Sequence, residues 1–218
     1  MTADAPFRVD QHGARDFADP LDWRRRFAAD GVLALPQILA QPFLTVLLER
    51  VDQSTFGEDV VGRIGTRHVE RPQRVGRILS LALHGRPLLD WLEVVTGCVP
   101  LRAVTGLVAQ HGPNSADALH WHDDMNDRAR KLAIVINLSG RPFQGGQFQL
   151  RRKGSDGLLL AFDHVEPGSA LLFAVRPELE HRVLPVTGTN PRRVYAGWFL
   201  DRPESGGLSL AQSIGRTS

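Results

Sequence analysis

Cysteine is almost absent from this chain of 218 residues. Cys98 stands alone, which excludes an internal disulfide and any zinc site built from cysteines. Its neighbours Val94, Val95 and Val99 suit a small buried side chain better than a nucleophile. No run of about 18 apolar residues occurs, and Met1 to Pro20 contains no apolar leader segment. Export and membrane spanning are therefore not expected, and a reducing cytoplasm is the expected compartment. A large charge of one sign is also missing, since the formal net charge is only +2. Arginines cluster at Arg24-Arg25-Arg26 and Arg151-Arg152-Lys153. A nucleic-acid surface would need more positive charge with aromatics interleaved, so these read as solvated faces and no nucleic-acid partner is expected. There is no Gly-x-Gly-x-x-Gly, no P-loop and no Gly-x-Ser-x-Gly, which leaves nucleotide folds and serine hydrolases without support.

What is present suits one domain over residues 1–218, with 42% hydrophobic residues to build a core. Residues 1–18 are polar and expected to be loose. Residues 19–99 read as mainly helical support and lid. Asp19-Pro20 marks a helix start, with Leu21, Trp23 and Phe27 inward and Gly31 as the stop. Val32 to Leu35 is a short strand. Phe43, Val46, Leu47 and Val51 recur at helical spacing after Pro42. Residues 54–77 alternate glycines and charges, and read as a long loop or lid that could include a short strand. Pro87 opens another helix that Gly97 ends.

From Pro100 the character changes. Leu101–Gln110, Lys131–Ser139, Gly146–Lys153, Leu158–Phe162, Ala170–Val175, Arg182–Val186 and Arg192–Leu200 are short, rich in β-formers and bounded by turn residues. Helices followed by many strands predict an α+β chain with a β-sandwich or barrel core over residues 100–200.

The chemistry concentrates in His120-Trp121-His122-Asp123-Asp124 and a distant histidine, His181. On an extended backbone His122 and Asp124 share a face. Imidazole and carboxylate together suit Fe(II), and a second histidine would complete two histidines and one carboxylate with positions left open. His181 is the candidate, because distant strands of a small barrel can converge at one mouth. His120 also lies two residues from His122, so a three-histidine site with His120, His122 and His181 is the alternative. The remaining histidines read mainly as surface or packing residues.

His122-x-Asp124, Gly145-Gly146-Gln147-Phe148, Pro167-Gly168 with Leu171-Leu172-Phe173, His181-Arg182-Val183-Leu184-Pro185-Val186, and Arg192 followed by Gly197-Trp198-Phe199 together resemble the iron(II)/2-oxoglutarate-dependent oxygenases. The prolyl-hydroxylase-like branch fits best, over roughly residues 100–200. The resemblance implies a double-stranded β-helix (a jelly-roll or cupin-like core) with N-terminal helices packed on one sheet. It implies Fe(II) held by His122, Asp124 and His181, with 2-oxoglutarate and O2 as co-substrates. The family's basic residue for 2-oxoglutarate lies on the strand after the distal histidine, six residues before the tryptophan, which selects Arg192. Arg193 would point to the other face. Arginine's planar fork can grip a carboxylate through two parallel hydrogen bonds. Where many relatives carry tyrosine ahead of the His-x-Asp motif, this chain has Gln110-His111-Gly112-Pro113, so His111 would line the co-substrate pocket. Asn137, on Ala133–Leu138, is a second possible pocket residue, or else part of an exposed polar alternation.

The reaction so implied is hydroxylation of an unactivated C–H bond in an amino acid, a peptide or protein side chain, or a natural-product intermediate. Asp124 argues against halogenation, which needs its coordination position for halide. Two other readings use the same residues. One is a cupin-like metalloprotein without 2-oxoglutarate: an isomerase, another dioxygenase or a binding module. The other is a non-catalytic β-sandwich whose histidines are incidental.

Overall fold

The computed structural model describes residues 5–113 and 118–203. The first element departs from expectation. In place of a loose N-terminus, β1 (Arg8–Asp10) pairs antiparallel with β2 (Gly13–Arg15). Phe7 and Val9 are buried, and the Phe7 ring meets Trp91 edge-on at 5.3 Å. Two apolar side chains suffice to dock a polar segment when a helix offers them a slot.

Helix α1 (Pro20–Asp30) begins where Asp19 accepts a hydrogen bond from the Leu21 amide and ends at Gly31 in the left-handed region. Trp23 and Phe27 face inward as expected, but Leu21 is 54% exposed. In α2 (Gln41–Asp52) the buried side chains are Phe43, Leu44, Leu47 and Val51, while Val46 faces out. The expected loop over 54–77 is instead a hairpin of β4 (Phe56–Val61) and β5 (Gly65–Glu70), followed by α3 (Arg74–Leu83). These strands carry charge on both faces, so no apolar alternation announces them. The buried carboxylate of Glu70 accepts hydrogen bonds from the Val75 and Gly76 amides and so caps α3. Helix α4 (Arg86–Thr96) ends at Gly97 as expected.

The strands after β3 (Val32–Leu35) are β6 (Ala103–His111), β7 (Leu119–His122), β8 (Arg130–Asn137), β9 (Phe148–Arg152), β10 (Leu158–Phe162), β11 (Ala170–Ala174), β12 (Leu179–Val183) and β13 (Arg192–Leu200). β7 is not among the expected strands, and β12 begins ahead of the Arg182–Val186 stretch and shares only Arg182 and Val183 with it. The strands join in the order β10-β9-β12-β7-β5-β6-β13-β8-β11-β3, with β4 paired to β5. This array folds back on itself: Phe148 of β9 and Phe173 of β11 meet at 5.1 Å across the interior. It is the nearly closed double-stranded β-helix that the resemblance implied. Its core continues into the helical layer, where α3 lies against β6. Tyr195 on β13 is buried there, with its hydroxyl 2.9 Å from Ser80 Oγ of α3. A Cβ at Gly106 or Gly197 would collide with the Tyr195 ring, so those glycines make room for it. Among the described residues no helix is long and apolar enough to cross a membrane.

Candidate metal centre

β7 and β12 run antiparallel with His122 opposite His181. That register sets the two imidazoles 4.1 Å apart, centroid to centroid. Asp124 lies beyond the end of β7, not on an extended strand, and its φ of +57° is in the left-handed region. A non-glycine residue held there stores strain, which is common where a side chain is aimed at a ligand. The turn brings the Asp124 oxygens to 3.7 Å from Nε2 of both His122 and His181. One ligand-type atom from each of the three residues lies within 4.8 Å of the others. Two imidazoles and one carboxylate at that spacing are a donor set for a ferrous ion with open positions. His120 does not join the group: its side chain is exposed, while its carbonyl accepts a 2.7 Å hydrogen bond from His122 Nδ1. That bond fixes the tautomer and leaves Nε2 of His122 free to bind metal.

The surroundings tune these groups. Burial pushes the Asp124 carboxyl up, but His181, His122, the Trp198 indole N–H and Arg130 outweigh it, and the net direction is down. Trp198 Nε1 donates to Asp124 Oδ2 at 2.9 Å, and the Arg130 guanidinium stacks on the Trp198 ring at 4.0 Å. Burial, with the neighbouring His122, lowers His181 to about 3 against the opposing pull of Asp124. Its imidazole is therefore neutral and ready to coordinate at ordinary pH. Phe148 stacks on the His181 ring and Phe173 meets it edge-on. Neither signal in the sequence pointed to Trp198 or Arg130 as neighbours of the carboxylate, since both depend on β13 lying beside β8.

The triad opens into a cleft with otherwise largely apolar walls. Arg192 and His111, paired across β13 and β6, both line it. Arg192 is 1% exposed, and burial lowers its guanidinium to about 10, so it stays cationic at neutral pH. Its Nε has no hydrogen-bond partner among the described residues. A buried cation with an open donor fits an absent carboxylate. Gly146 makes the space: a Cβ there would sit 2.7 Å from Arg192 Cδ. Arg193 points the other way, to Gln110 and Asp52 on the outer face. Asn137 does not line the cleft. Its amide donates to the His164 carbonyl and its oxygen accepts from the Ser139 amide, so it braces a turn. His164, read from the sequence as surface or packing, is 2% exposed, and neither ring nitrogen has a partner among the described residues. Burial and then the Arg192 charge hold it neutral, far below the usual imidazole value.

Residues 107–200 match the family model of the 2OG-Fe(II) oxygenase superfamily. No curated protein sequence matches the chain. Several solved structures share the fold. A Pseudomonas putida prolyl-4-hydroxylase superposes with a TM-score of 0.64 at 19% identity, over 84% of this chain and 100% of that one. A Trichoplax adhaerens prolyl hydroxylase, solved with a fragment of the hypoxia-inducible factor oxygen degradation domain, gives 0.65 at 16% identity, over 84% of this chain and 89% of that one. The alpha-ketoglutarate-dependent epimerase SnoN of nogalamycin biosynthesis gives 0.60 at 13% identity, over 91% of each chain.

Proposed function

We propose that this chain, which carries the 2OG-Fe(II) oxygenase pattern over residues 107–200, hydroxylates an unactivated C–H bond of an amino acid, a peptide side chain or a natural-product intermediate. In this reading His122, Asp124 and His181 hold Fe(II), and Arg192 grips the far carboxylate of 2-oxoglutarate, with His111 beside it. The observation that carries it is the meeting of the three ligand-type side chains at the mouth of a cleft with a buried, unsatisfied guanidinium on its wall. Held by these residues, the metal would let O2 serve as the oxidant, with one oxygen atom going to succinate as 2-oxoglutarate loses CO2 and the other to the substrate.

The protein's own part is positioning and exclusion of water. The His120 carbonyl fixes the His122 tautomer. Trp198 turns the Asp124 carboxylate and occupies one lone pair of its Oδ2. Phe148 and Phe173 wall the His181 ring from solvent. Arg192 supplies a fixed positive charge in a dry place, where a carboxylate gains most from it. The solitary cysteine and the absence of a spanning helix among the described residues suit a cytoplasmic enzyme.

The test is anaerobic addition of Fe(II) and 2-oxoglutarate. A weak visible charge-transfer band is expected, followed by succinate on admitting air. Absence of both sinks the proposal. A product heavier than substrate by one oxygen marks hydroxylation, whereas a product lighter by two hydrogens marks another oxidative outcome.

A further inference from the structure

The cleft contains a second guanidinium that the oxygenase reading leaves unused. Arg67 sits on β5, on the same face as Val69, whose partner across the ladder is the cleft residue Ala109. It lines the same cleft as the triad and Arg192. Its Nε donates to Asp59 Oδ2 at 2.8 Å, across the register of the β4–β5 hairpin. The two terminal nitrogens make no hydrogen bond or ion pair among the described residues. The Arg67 side chain is 15% exposed and that of Asp59 33%. One edge of the fork is thus anchored, and the other is presented to the cleft without further loss of rotamer freedom.

Charge points the same way. Arg130 stacks behind Trp198 and lies 3.7 Å from Asp124 Oδ1. Taken with a ferrous ion and a dianionic co-substrate, Arg67, Arg130, Arg192, Asp59 and Asp124 leave the site one positive charge in excess. A positive potential of that kind in a cleft with low-dielectric walls attracts and holds an anion. The wall beside Arg67 is apolar at Ala109 and Leu119, and continuing the β5–β6 register sets His111 opposite it. We infer that the substrate is a carboxylate with an apolar body, its acid group held by the free edge of Arg67 while a carbon of the body faces the triad. This assignment rests on the oxygenase reading and adds the class of substrate to it.

The test uses the full chain loaded anaerobically with Fe(II) and 2-oxoglutarate. The charge-transfer band is recorded before any probe is added. If it never forms, the oxygenase reading has failed and Arg67 is not at issue. The probes are octanoate, phenylacetate and N-acetyl-leucine, each beside its primary amide, and a pentapeptide holding one glutamate beside its glutamine twin. The readouts are the band shift on probe binding and the succinate formed on admitting air. At least one acid is expected to shift the band and stimulate succinate, with its amide needing about tenfold or more higher concentration. A response from the free acids assigns a small-molecule substrate, and a response from the glutamate peptide alone assigns an acidic side chain. Arg67→Gln should erase the difference between acid and amide while its 2-oxoglutarate titration overlays that of the unmutated protein. Arg67→Lys keeps the charge and the Asp59 pair, so it should fold and retain part of the preference. The inference is overturned if amides match acids, if no acid shifts the band, or if Arg67→Gln keeps the acid preference.

Discussion

Two arginines line the cleft, and they are held in opposite ways. Arg192 is buried to 1% exposure, has no counter-ion and keeps an unsatisfied Nε among the described residues. Arg67 is tied to Asp59 and touches solvent. A bare buried cation is costly, and it persists only where a specific anion completes it. The Arg192 site is therefore built for one unvarying ligand, and the fold makes room for it at Gly146. Arg67 lies on a polar hairpin, where a side chain can change without unsettling the core. An enzyme with a fixed co-substrate and a variable substrate needs that division.

The largest expected effect is at neither arginine but at the three metal-ligand candidates. Asp124→Ala should reduce Fe(II)-dependent succinate formation to background, because the remaining imidazoles leave the ion without an anionic ligand. Anaerobic iron titration checks this. Chelation with EDTA should do the same to the unmutated chain and be reversed by added Fe(II).

Arg192→Ala comes next. Truncating one partner of a buried, charge-assisted pair costs enough to weaken 2-oxoglutarate binding by about 100-fold or more. Titration of the charge-transfer band measures it. An unchanged affinity would place the co-substrate clamp elsewhere and dissolve the contrast between the two arginines.

Smaller is Trp198→Phe, which keeps the ring beneath Arg130 but removes the donor to Asp124 Oδ2. Iron affinity should fall by about tenfold, as for other hydrogen bonds that orient metal ligands. Gly146→Ala should lower the affinity for 2-oxoglutarate by less than Arg192→Ala does. It should also lower Tm by about 3 °C, since it puts a Cβ at positive φ and against Arg192.

The smallest effect is a slope. His164 is held neutral in the folded protein, far below the usual 6.5. Above 6.5 both folded and unfolded forms leave it neutral. As the pH falls below that value, the unfolded chain takes a proton that the folded one refuses, so stability drops. The metal-free protein should therefore lose Tm between pH 7 and 5, before the carboxylates begin to protonate. His164→Leu should reduce that slope and leave the share due to His181, and thermal melts at both pH values decide it.

The legibility of the molecule follows the kind of signal each part emits. Helices α1 and α4 were readable because Asp19-Pro20, Gly31 and Gly97 are local stop and start chemistry. The β4–β5 hairpin was not, because a strand with Asp59 and Arg67 facing a cleft looks like a solvated loop. Asn137 misled for the converse reason: its alternation is right for the cleft, but Ser139 and His164 take its amide. His164 sounded like surface because nothing local reveals burial beside an arginine distant in sequence.

The sequence by itself determined the residue types at the site, the limits of α1 and the end of α4, and that Arg192 and Arg193 point to opposite faces. Each is a matter of chemistry or of two-residue alternation along one stretch of chain. Only the tertiary structure decided that Asp124 turns inward through a left-handed bend, that Trp198 orients it, that Arg67 lines the cleft, and that His164 is buried near Arg192. Those are contacts between strands distant along the chain, and no local pattern encodes which strand will lie beside which.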